Sequence, residues 1–201
     1  DRHAETTMSM LALATVLQDI GDLPAAGLLF HEAHATRLAM YGTPHAEVSE
    51  AARHLAFWEE SNGDEEAAER LFLDALAQDR ALFPADHRRV VNAIVRLAGL
   101  QRRMGKRREA EPLLREGLAA QRRIHGDTHP DVASTMRNLG SLLRDERRGE
   151  EAESLYLGTI AILRALHGEA HPEVIVALNS YAILLSDRGD HAGAIRAYEE
   201  I

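Results

Sequence analysis

The stretch HGDTHPDVASTMRNLGSLL, residues 125–143, returns as HGEAHPEVIVALNSYAILL at residues 167–185, 42 positions later. Such similar segments at one offset point to a repeat, which changes how every other residue is read. The offset aligns the whole chain with itself without insertion or deletion. A histidine stands at His3, His45, His87, His129 and His171. Alanine holds another position throughout, at Ala26, Ala68, Ala110, Ala152 and Ala194. Four places after each comes a large apolar residue: Phe30, Phe72, Leu114, Tyr156 and Tyr198. Glycine recurs at Gly21, Gly63, Gly105 and Gly189, with Arg147 in the remaining place, and again at Gly42, Gly126 and Gly168, with Pro84 in theirs. The chain reads as five copies of one unit, approximately 3–44, 45–86, 87–128, 129–170 and 171–201, the last cut short. Stacked units of this kind predict a single elongated domain over residues 1–201.

Bulk properties narrow the class. Alanine and leucine are abundant, aromatic residues make up only 4%, and glycine and proline fall at unit boundaries, which suits helices and argues against a β-sandwich. Cysteine is absent, so disulfides and thiolate metal sites are excluded. A reducing, cytoplasmic setting is the expectation. No signal-like segment opens the chain and no apolar run approaches membrane-spanning length, so no membrane partner is expected. The net charge of −9 disfavours general nucleic-acid binding. A start at Asp1 and an end inside a unit suggest a segment of a longer protein.

Each unit reads as two helices. In the fourth, Pro130 and Asp131 follow His129, proline at a first helical position and an acid that suits the helix dipole. Val132, Met136, Leu139, Leu142 and Leu143 then recur at spacings of three and four, one face of a helix. The polar stretch Arg147–Gly149 ends it. A second helix starts near Glu150, carries Ala152, Leu155, Tyr156, Ile160 and Leu163 on one face, and stops at Gly168, where a left-handed glycine can close it. The recurrent alanine suits the closest approach of two helices, and the large residue four places on fills the gap beside it.

These residues carry a family resemblance. Leu55–Ala56 on a first helix, Gly63–Asp64 at the turn, then Ala68, Phe72 and Ala75 on a second helix resemble the tetratricopeptide repeat (TPR). The 42-residue length and the HGDTHPDV junction resemble its kinesin-light-chain variety. The resemblance implies an all-α solenoid of antiparallel helix pairs in a right-handed superhelix, a non-catalytic scaffold for protein–protein interaction, and a concave face lined by the first helices.

Helical spacing selects the residues for that face. In the third unit they are Asn92, Val95, Arg96, Gly99, Arg102 and Arg103. In the fourth they are Ser134, Arg137, Asn138, Ser141, Arg144 and Asp145. Five arginines stand there against one acid. Arg53, His54 and Phe57 adjoin on one side, and Asn179, Ser180 and Ile183 on the other. Arginine forks pair with carboxylates, and asparagine amides can hold a peptide backbone, so an acidic peptide or protein segment is the expected partner. The other readings are a self-association surface at an open repeat end, and the regulatory arm of a larger multidomain signalling protein or enzyme.

Chemistry is otherwise poorly represented. His125 and His129 are four apart, as are His167 and His171, but a glycine splits each pair between a helix end and the next helix start. A junction or helix-start role is expected, with no metal and no cofactor. GLQRRMGKR, 99–107, has five residues between its glycines and arginine where a phosphate loop needs serine or threonine. The basic tract 102–108 is interrupted by turn residues and followed by Glu109 and Glu111, so no nucleic-acid partner is expected. No nucleophile elbow or Ser/His/Asp set shares a register, and no enzyme activity is expected.

Overall fold

A computed structural model describes the backbone of residues 2–200 and the side chains of residues 4–200. Among these residues it contains ten α-helices and no strand. The first helices of the units are α1 (Arg2–Asp19), α3 (Ala46–Asn62), α5 (Arg88–Arg103), α7 (Pro130–Asp145) and α9 (Pro172–Asp187). The second helices are α2 (Leu23–Tyr41), α4 (Glu65–Leu82), α6 (Arg107–His125), α8 (Gly149–His167) and α10 (His191–Glu199). None of them is long and apolar enough to cross a membrane. The chain forms two compact units, 1–104 and 105–201, divided inside the third repeat.

In the first unit α1 packs on α2, α2 on α3, α3 on α4 and α4 on α5. In the second the same succession runs from α6 to α10. Within each unit, consecutive helices thus bury faces both inside a repeat and between neighbouring repeats, as a repeat lacking its own core must.

The alanine series sits where the sequence placed it. Ala26, Ala68, Ala110 and Ala152 have no exposed surface and Ala194 keeps 5%. Phe30, Phe72, Leu114 and Tyr156 fill the adjoining gaps at 0–1% exposure, whereas Tyr198 is 46% exposed, with no described helix packed over it. The first helices carry a matching small series at the same offset: Ala14, Ala56, Ala98 and Ala182 are fully buried, and Gly140 takes the fourth place. There the Tyr156 ring stands 3.1 Å from where a Cβ on Gly140 would be. Small residues on both helices let the backbones approach closely enough to hold these rings.

The turns are made by glycine as expected, with two refinements. Gly63 takes the left-handed conformation, at φ 93° and ψ 3°. Gly168, expected there too, lies at φ 84° and ψ 172°, an extended positive-φ region open essentially to glycine alone, as do Gly42 and Gly126. Arg147, standing in a glycine position, adopts φ 62° itself. The next position in that turn caps the second helix: Asp22, Asp64 and Asp190 accept the N–H groups of Ala25, Ala67 and Gly193 at 2.8–3.2 Å. Lys106 and Arg148 occupy the same place without a side-chain cap. Arg148 instead gathers Glu111, Glu146 and Glu151 at 2.8–3.2 Å.

Candidate functional site: junction histidines and first-helix faces

The histidines of the junctions cap helices. His45, His87, His129 and His171 each lie just before a first helix, in extended conformation. Each uses Nδ1 to accept the backbone N–H two residues on, at 3.2–3.3 Å. Their predicted helix-start role is therefore the observed one; the side chain of His3 lies outside the described residues. Each imidazole also stacks on the ring four residues earlier, at the end of the preceding second helix. The pairs are Tyr41–His45, Phe83–His87, His125–His129 and His167–His171, with centroids 4.1–4.3 Å apart. Stacking pins the end of one helix to the start of the next. This aromatic series escaped the sequence reading because three residue types share it, although counting back four places from each histidine would have found it.

The stacks bring together histidines that the sequence placed on separate helices. His125, His129 and Asp131 hold donor atoms within 4.8 Å of one another, as do His167, His171 and Glu173. Imidazole lone pairs lie in the ring plane, and two near-parallel rings about 4 Å apart cannot both aim at an ion roughly 2 Å from each nitrogen. Nδ1 of His129 and of His171 is also engaged by a backbone N–H. Tyrosine and phenylalanine fill the same place in the other junctions, so this geometry serves packing and capping.

The residues selected for the inner face divide between the two units. In the first, Arg53 reaches Asp79 at 2.9 Å, and Asp79, wholly buried, also accepts the Ser49 hydroxyl at 2.6 Å. Arg53 thus neutralises a buried carboxylate. Its neighbour His54 stacks on Phe30, and burial lowers its pKa, with Arg53 and Arg37 acting the same way and Glu50 opposing. Arg103 pairs with Glu60, and Arg102 is half-buried. Arg96 lies over the Phe57 ring, 5.1 Å from its centroid, and Phe57 stands edge-on to Phe72 beneath. Asn92 is exposed one turn before Arg96.

In the second unit Arg144 pairs with Asp145 at 2.9 Å and approaches Asp187 of α9 at 3.6 Å. Ser141 donates to the Arg137 carbonyl and accepts the Tyr156 hydroxyl, so its hydroxyl faces the floor of the repeat. Arg137 lines a shallow cleft with Ser134 of α7, Thr159 of α8 and Glu173 of α9. Asn138, Asn179 and Ile183 remain exposed or half-exposed. The excess of arginine is therefore smaller than a count suggests. Among the described residues Arg96 and Arg137 make no ion pair, and Asn92, Asn138 and Asn179 make no side-chain hydrogen bond.

Paired helices repeated at a fixed offset and a seam of small residues between them define a helical-repeat solenoid. The chain belongs to the tetratricopeptide repeat family: that repeat matches residues 89–148 and 137–201, and a second form of it matches residues 6–47. Its fold commonly mediates protein–protein interaction. Among solved structures the chain is similar to the nearly identical TPR-like repeats of a Podosopora anserina kinesin-light-chain candidate. There the identity is 21%, with 96% of this chain and 92% of that one covered and a TM-score of 0.85. It is similar also to BtubC (BKLC) from P. vanneervenii, at 22% identity, 98% and 79% coverage and a TM-score of 0.85. MamA from Desulfovibrio magneticus RS-1 is more distant, at 14% identity, 96% and 92% coverage and a TM-score of 0.71. At these identities the likeness concerns the fold. Among curated proteins none matches significantly.

Proposed function

We propose that the protein is a non-catalytic scaffold whose first-helix faces bind an acidic peptide or protein segment. The observation that carries this reading is the pairing of free charge with free amides. Arg96 and Arg137 lack ion-pair partners among the described residues, and Asn92, Asn138 and Asn179 lack hydrogen-bond partners for their side chains. Arg96 holds its guanidinium over Phe57, so a bound carboxylate could pair with the fork beside an apolar ring. The arginines supply charge and the amides hold backbone. Arg53, Arg103 and Arg144 shape the face through their internal pairs. A fluorescence-anisotropy titration with acidic and basic peptides of equal length tests this, acidic peptides binding more tightly and losing affinity as salt rises.

A second reading, self-association, is favoured by α1. Leu13 and Val16 are 52% and 55% exposed, whereas Leu55, Leu97 and Leu139 in the first of these positions are at most 3% exposed. A molar mass that rises with concentration in light scattering would support it.

A further inference from the structure

The first two repeats hold a cleft that the arginines leave unused. It lies between α1 and α3, closed below by Arg37 of α2, with a volume of about 270 Å3. One wall is apolar, from Met8, Leu11 and Ala12. The other carries Glu47 and Glu50, whose side chains keep 40% and 33% exposure. Arg37 is only 2% exposed and each of its three nitrogens has a partner. Its Nε donates to the Thr7 hydroxyl, Nη1 to the Glu47 carbonyl and Nη2 to the Glu47 carboxylate, at 3.0–3.2 Å. Glu50 is held only by long contacts, 3.7 Å from Arg37 and 3.8 Å from Arg89 of α5. His54, its pKa lowered chiefly by burial, adds little positive charge at neutral pH. The exposed oxygens of the cleft are thus those of two carboxylates, Glu47 paired with the buried Arg37 and Glu50 only loosely held by Arg37 and Arg89.

The cleft is smaller than the roughly 300–1,000 Å3 of small-molecule sites and suits one long side chain. The geometry points to a lysine side chain of a partner protein, its stem along Met8, Leu11 and Ala12 and its ammonium between Glu47 and Glu50. A lysine stem buries readily against apolar surface while its compact ammonium, with three rotatable donors, can serve two carboxylates in different planes. This site shares only His54 with the residues selected for the inner face, and it offers carboxylate oxygens where those patches offer guanidinium groups. It stands whether or not those patches take an acidic segment.

The test is an NMR titration of the full chain with three synthetic peptides that differ only in a central lysine, norleucine or glutamate. The lysine peptide is expected to shift the amides of Met8, Ala12, Glu50 and His54 and to saturate. Norleucine should bind about fivefold more weakly, the scale of a partly exposed ion pair, and glutamate should not bind. Glu50→Gln should weaken the lysine peptide severalfold and leave norleucine unchanged. Ala12→Phe, at an exposed position where circular dichroism should show the fold retained, should remove both. Norleucine binding as tightly as lysine, an unchanged Glu50→Gln, or no shift at these amides would each overturn the proposal. Arg96→Glu leaves this titration unaffected, which separates its failure from that of the arginine patches.

Discussion

His129 lies flat against His125, ring centroids 4.1 Å apart and planes 14° from parallel, while its Nδ1 accepts the Asp131 N–H at 3.2 Å. One side chain thus closes the α6–α7 junction twice. Replacing His129 with alanine removes a cap worth about 1 kcal/mol and a ring contact worth about 0.5–1.5 kcal/mol. At roughly 2–4 °C per kcal/mol for a chain of this size, Tm should fall by about 3–10 °C. His129→Asn restores the cap without the stack and should recover about half. Equal Tm values for the two variants would refute the capping role.

The alanine seam makes a sharper demand. Ala110 is wholly buried between helices, whereas Ala119 on the same helix is exposed. Overpacking a core position costs about 1–3 kcal/mol, so Ala110→Leu should lower stability by that amount while Ala119→Leu changes it little. Urea denaturation of both variants checks the register.

The Arg53–Asp79 pair should behave as a structural element. Asp79 has no exposed surface, and removing its cation leaves a buried carboxylate with only Ser49 for company. Breaking such a pair typically costs about 3–5 kcal/mol. Arg53→Ala is expected to cost toward the lower end, since Arg53 itself keeps 20% exposure, and to exceed Arg96→Ala clearly in denaturant melts.

Stability should fall on mild acidification. Burial lowers the pKa of His34 below 6.5, with His31 adding to the effect and Asp74 opposing, and burial lowers His54 likewise. The folded state then binds fewer protons than the unfolded state, so stability is complete above about pH 6.5 and declines as pH drops below that toward the folded-state values. The positions equivalent to His34 are Leu76, Leu118 and Ile160, all 4–7% exposed. His34→Leu should therefore flatten part of the loss between pH 7 and pH 5 in thermal melts. An unchanged slope would contradict the assignment.

The repeat, the helix pairs, the turn glycines and the alanine seam were legible in the sequence because each is one residue type at a fixed offset. The aromatic slot before each junction histidine was not, because tyrosine, phenylalanine and histidine serve equally as a flat ring. The buried charges of the first two repeats were hidden for the opposite reason. Arg37 and Asp79 occupy one repeat position yet carry opposite charge, each balanced by a local partner that no periodicity reveals. The proposed inner face could be picked out only as a set of positions at helical spacing. Its free charge was not legible, because pairing of Arg103 with Glu60 and Arg144 with Asp187 depends on neighbours in adjacent repeats.

The most direct test of the scaffold reading is a peptide-array screen with the wild-type chain and the Arg96→Glu/Arg137→Glu double variant. The two substitutions lie in different units at positions without ion-pair partners among the described residues, so the fold should persist. Acidic segments should dominate among wild-type binders, weaken with salt and be lost in the double variant, where like charges would face the ligand. Basic or neutral partners, or unchanged binding by the double variant, would contradict it and leave the arginines as solvated surface.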